Sequence, residues 1–158
     1  MKKSLFFENA KLLSDKFGIV PLMYGSLGLE YITGENLSAD DIDILIPEKY
    51  LLEEWESFKA ILSENGYTLI DEHEHTFIKN EIACSYAAIE DLEGFADVKL
   101  SDIVCKNASG VSFLVLSLEQ YLKVYAASSK DGYRINVRSK KDNEKIAFIE
   151  KLLKADNG

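Results

Sequence analysis

The stretch that most constrains this chain is Asp41-Ile42-Asp43-Ile44-Leu45-Ile46, closed by Pro47. Side chains alternate along a β-strand, so a strand here turns Asp41 and Asp43 to one face and sends Ile42, Ile44 and Ile46 into a core on the other. Two carboxylates this close repel each other unless a cation or a set of donors lies beside them. The fold must therefore supply an apolar layer on one side of this strand and a charged site on the other.

The residues before it supply a partner. Ile19 to Tyr24 is an apolar run of strand length, broken by Gly25-Ser26, after which Ser26 to Ile32 has room for one or two helical turns before Gly34 and a polar loop from Glu35 to Asp40. A glycine at the end of a strand lets the backbone approach an anion closely, and a helix that starts there aims its positive end at the same place. The hard oxygens of Asp41 and Asp43 suit Mg²⁺, which takes one or two carboxylates and completes its shell with water and phosphate oxygens. Gly25, Ser26, Asp41 and Asp43 together are the pattern of a metal and triphosphate site.

The rest of the chain reads as α+β. Phe6, Ala10, Leu13 and Phe17 mark one face of a helix stopped by Gly18, and Pro47 opens a helix predicted to run through Ser63, with Leu51, Leu52, Trp55, Phe58, Ile61 and Leu62 as its apolar stripe. Asn65-Gly66 ends it. Strand-like segments then follow one another at Tyr67–Ile70, Thr76–Lys79, Ile82–Ala87, Ile103–Lys106 and Val111–Leu116, with turn chemistry at Asn107-Ala108-Ser109-Gly110. Ser117-Leu118-Glu119-Gln120 is a capping box that opens a helix to about Ala127, and a last helix is expected from about Lys141 to Lys154. Strand and helix stop alternating after Gly66, which excludes a doubly wound parallel sheet and leaves a mixed sheet flanked by helices. With 158 residues and no linker or repeat, one domain over 1–158 is expected.

Charge narrows the partners. The 27 Asp+Glu outweigh the 18 Lys+Arg for a net of −9, which disfavours a long nucleic acid or an anionic membrane, since both are held by basic surfaces. The imbalance is uneven: up to Leu118 there are 9 basic against 21 acidic residues, and from Glu119 onward 9 against 6. Both arginines, Arg134 and Arg138, fall in the second stretch, beside Lys140 and Lys141. Cys84 and Cys105 are too few for a disulfide scaffold, and no apolar run spans a bilayer, so a cytoplasmic protein with free thiols is expected. His73 and His75, in Asp71-Glu72-His73-Glu74-His75, read as a solvated turn between strands rather than as metal ligands, and Tyr121 and Tyr125 read as packing residues.

At Gly25-Ser26 and Asp41-Ile42-Asp43 the sequence resembles the nucleotidyltransferase superfamily, whose pattern is an apolar strand ending in Gly-Gly or Gly-Ser followed by an apolar Asp-x-Asp strand. The likeness covers about Ile19 to Ala87. It extends to Leu116-Ser117-Leu118 and to Lys140-Lys141-Asp142, which are similar to helix starts of small antibiotic-type members. The resemblance implies a nucleotidyltransferase-like mixed sheet with a C-terminal helical extension. It implies transfer of a nucleoside monophosphate from an NTP such as ATP to a hydroxyl of a small molecule or a protein, with two Mg²⁺ ions held by Asp41 and Asp43 and the β/γ-phosphates by Gly25 and Ser26. Arg134 and Lys140 would then meet the triphosphate. The family also places a third carboxylate on a later strand, where this chain has Ser85; Glu81, expected on the same strand face, is the nearest substitute for a general base, and Glu90 and Asp91 are further candidates on a loop. The alternative that this departure implies is a catalytically impaired nucleotide-binding module, one half of a toxin-antitoxin or regulatory pair.

Overall fold

The computed structural model describes residues 2–129 and 139–157. Two compact units emerge, residues 1–90 with 104–115, and residues 91–103 with 116–158.

The first unit is a seven-stranded sheet with helices. Helix α1 (Lys2–Phe17) buries Leu5, Phe6, Ala10 and Leu13, and Gly18 ends it at φ +68. Strand β1 (Leu22–Tyr24) leads directly into α2 (Gly25–Thr33), which Gly34 closes at φ +77 with its N–H on the Glu30 carbonyl. The chain returns as β2 (Ile42–Ile46), then a 3₁₀ turn at Glu48–Leu51, α3 (Trp55–Glu64) and the strands β3 (Thr68–Asp71), β4 (Thr76–Lys79) and β5 (Ile82–Ala88). A later hairpin, β6 (Val104–Ala108) and β7 (Val111–Val115), completes the order β3-β4-β5-β2-β1-β7-β6. The pairs β1–β7 and β2–β5 are parallel and the others antiparallel, so the sheet is mixed, as the sequence pattern requires. Ile42, Ile44 and Ile46 are fully buried, with Cys84, Tyr86, Phe77 and Phe113 in the same core.

One element differs from its sequence expectation. The helix predicted from Pro47 to Ser63 breaks at Leu52 (φ −119, ψ −96), and α3 starts only at Trp55. Tyr50 and Leu51 are both buried in the 3₁₀ turn, and the Tyr50 hydroxyl donates to the Phe17 carbonyl at 3.2 Å. Leu52, at the break, is 60 % exposed.

The second unit holds α4 (Asp91–Ala96), a 3₁₀ turn at Leu100–Asp102, α5 (Leu118–Ser129) and α6 (Ser139–Asn157). The capping box forms as expected: the Gln120 N–H donates to Ser117 Oγ at 3.1 Å and the Ser117 N–H to Gln120 Oε1 at 2.8 Å. Tyr121 is fully buried, a packing residue, and Ile149 of α6 is buried too. Helix α4 had no sequence expectation, and Asp91 is its first residue rather than a loop residue. Among the described residues, no helix is long and apolar enough to cross a membrane.

Candidate active site

The site is built where β1 becomes α2. Tyr24 is extended (φ −105, ψ −179), and Gly25 at φ +62 swings the chain into the helix, a conformation that an L side chain adopts only with strain. The next strand over, β2, runs antiparallel with Tyr24 opposite Asp43. That register lays the Asp43 carboxylate against the bare α-carbon of Gly25. A β-carbon at Gly25 would lie 2.6 Å from Asp43 Oδ2 and 3.3 Å from Asp43 Cβ, so a side chain there would displace the Asp43 carboxylate. Glycine is required twice over, by backbone angle and by the carboxylate beside it.

Ser26 is half-buried in the first turn of α2, and Asp41 is exposed in the bend immediately before β2. The loop between the helix and the strand is anchored by Glu30, whose Oε1 accepts the Leu37 N–H at 2.8 Å and the Ala39 N–H at 3.4 Å. Sequence reasoning had not singled out Glu30. Its signal is a lone carboxylate on an otherwise apolar helix, explained by the unpaired loop amides that it accepts.

Behind the site, Cys84 lies opposite Ile42 on β5. Burial pushes its thiol up to about 12, and the charges of Asp41 and Asp43 push in the same direction. The donor set of two carboxylates beside a helix N-terminus fits a hard ion that also binds phosphate. Among the described residues, no group of three or more His, Cys, Asp or Glu side chains is placed to hold a metal.

The position beside Asp43 on β5 is Ser85. Its hydroxyl is hydrogen-bonded at 2.8 Å to that of Thr76, the residue opposite it on β4. Glu81 is not on the strand face expected for it. It is exposed in the two-residue turn Asn80-Glu81, with φ of 52° and 66°, because a tight hairpin between β4 and β5 takes both central residues left-handed. At about 3.3 Å of rise per residue, four residues separate it from the level of Ser85 by about 13 Å. Glu90 is also committed elsewhere: its carboxylate accepts the Glu48 N–H at 2.9 and 3.2 Å. Arg134 and Arg138 lie outside the described residues, and Lys140 falls in the first turn of α6. His73 and His75 occupy the turn between β3 and β4, where the His75 ring meets Trp55 edge-on at 4.8 Å.

No family model matches the chain. Among solved structures, the chain is similar to ANT(2″)-Ia in complex with adenylyl-2″-tobramycin, with a TM-score of 0.58 and 15 % identity over 99 % of this chain and 92 % of that one. A solution structure of the antibiotic-resistance factor ANT(2″)-Ia gives a TM-score of 0.54 and 14 % identity over 99 % and 95 %. These likenesses establish a nucleotidyltransferase-like fold. By sequence the chain is 40 % identical over 149 residues to "Uncharacterized protein YnaI" of Bacillus subtilis (strain 168), covering 94 % of this chain and 96 % of that protein. The chain therefore belongs to the YnaI family, and it carries the nucleotidyltransferase-like fold.

Proposed function

We propose that the protein is a Mg²⁺-dependent nucleotidyltransferase that moves a nucleoside monophosphate from an NTP such as ATP to a hydroxyl of a small molecule or a protein, residues 1–158 acting as one nucleotidyltransferase-like domain in the cytoplasm. The observation that carries this reading is the contact of Asp43 with the bare α-carbon of Gly25 at the start of α2. It puts a carboxylate and a set of helix N-terminal amides around one small volume, which is the pairing that a metal-bound polyphosphate needs.

In this reading Asp41 and Asp43 hold the metal. Bound there, Mg²⁺ neutralises charge that builds up on the phosphate oxygens during transfer. The N–H groups of the first turn of α2 and the Ser26 hydroxyl bind and orient the β- and γ-phosphates, and Gly25 lets them come close. Glu30 keeps the loop ahead of Asp41 in place. Basic residues of the later segment, Arg134 and Lys140 among them, are proposed to bind the triphosphate.

The test is transfer of label from each α-labelled NTP, with Mg²⁺, onto a panel of hydroxyl acceptors, beside Asp43→Asn. Transfer by the native protein that the variant loses by at least about 100-fold supports the enzyme. A second reading, a nucleotide-binding module with impaired turnover, is favoured by Ser85 standing beside Asp43. Nucleotide binding without transfer to any acceptor would select it.

A further inference from the structure

Asp43 and Ser85 are neighbours in one row of the sheet that continues to Thr76. Adjacent strands lie about 4.8 Å apart, and residues in register present their side chains to the same face. A carboxylate at Ser85 would stand next to that of Asp43, within reach of a shared ion. The hydroxyl that stands there instead is hydrogen-bonded to Thr76. The flanking residues on that face of β5 are Ala83 and Ala87, which have no donor atoms to offer.

We propose that Ser85 makes this a one-cation centre, in which a single divalent ion is held by Asp41 and Asp43 together with the nucleotide phosphates. The inference rests on the metal-nucleotide reading of the site given above. Two divalent ions about 4 Å apart, as in two-metal phosphoryl-transfer centres, repel each other far more strongly than two unit charges and are held by carboxylates that bridge them. Asp41 and Asp43 supply two negative charges, and the Ser85 hydroxyl adds none. A second ion therefore lacks the charged side chain that a carboxylate at position 85 would supply to it.

The test is electron paramagnetic resonance of the full chain with Mn²⁺ and α,β-methylene ATP, which does not release pyrophosphate. The native protein is expected to give the six-line spectrum of an isolated Mn²⁺ ion, bound at one per chain. Ser85→Asp is expected to bind two ions and to show the broadened, exchange-coupled spectrum of a close Mn²⁺ pair. A coupled pair in the native protein overturns the proposal whatever the variant does. An isolated ion in a Ser85→Asp variant that keeps its native circular dichroism also overturns it, by removing Ser85 from the explanation. If Mn²⁺ and the nucleotide analogue do not bind at all, the site reading itself fails, and that outcome is distinct from binding two ions.

Discussion

Gly25 and Gly18 have nearly the same backbone angle, φ +62 and φ +68, but different surroundings. A β-carbon at Gly18 meets nothing within 4 Å, whereas one at Gly25 meets the Asp43 carboxylate. Gly18→Ala should therefore cost about 1–2 kcal/mol, the price of a left-handed L residue alone. Gly25→Ala should cost more, because Asp43 or the start of α2 must also move. Urea denaturation of both variants checks the difference; equal losses would mean that Asp43 is not held against Gly25. The two thiols separate in the same way. Cys105 is exposed while Cys84 is buried with its pKa pushed up to about 12, so a thiol reagent at pH 8 should label Cys105 in the native protein and Cys84 only after unfolding.

At the scale of elements, the cap of α5 and the turns of the first unit make the strongest local predictions. Ser117→Ala removes the acceptor for the Gln120 N–H and should lower stability by about 1 kcal/mol in denaturant titrations. In the turn between β3 and β4, burial lowers the pKa of His75 below its ordinary 6.5, so the unfolded chain binds more protons than the folded one just below that value. Stability should be complete above pH 6.5 and fall as the pH drops through the lowered pKa. Glu72 adds to the loss further down, since its hydrogen bonds with Lys59 and Trp55 hold its pKa below the usual carboxylate value. Denaturation midpoints at pH 7.5 and 5.5 should differ in the native protein and differ less in His75→Gln.

These elements also show what sequence alone could convey. The capping box, the glycine stops at Gly18 and Gly34, and the alternation that makes β2 are local patterns, and each appears where its residues place it. The break at Leu52 and the turn position of Glu81 are not local: the first accompanies the hydrogen bond of Tyr50 to Phe17, 33 residues away, and the second follows from the tightness of a hairpin. Helix α4 is six residues long with Gly94 inside it, too short for a period to show and weakened by glycine's low helix propensity. In the site, Gly25 and Asp43 were legible because each breaks a local rule. Glu30 was not, because its role is set by amides seven and nine residues away.

Across the whole molecule, a fold shared with ANT(2″)-Ia at 15 % identity means that the overall architecture is similar while most side chains differ. The proposed function then rests on the small set of residues at the β1–α2 junction. The net charge of −9 looks at first like a barrier to any phosphate-bearing ligand, yet two of the negative charges are Asp41 and Asp43, the groups proposed to hold a cation. Binding of metal and nucleotide to the folded state alone must raise the melting temperature; at a concentration of 100 times Kd the stabilisation is about 2.7 kcal/mol. The most direct test is the melting temperature of the native protein and of Asp43→Asn with each NTP, with and without Mg²⁺. The account predicts a rise in the native protein that requires both Mg²⁺ and an NTP and is absent in Asp43→Asn; no rise with any NTP, or an equal rise in the variant, would contradict it.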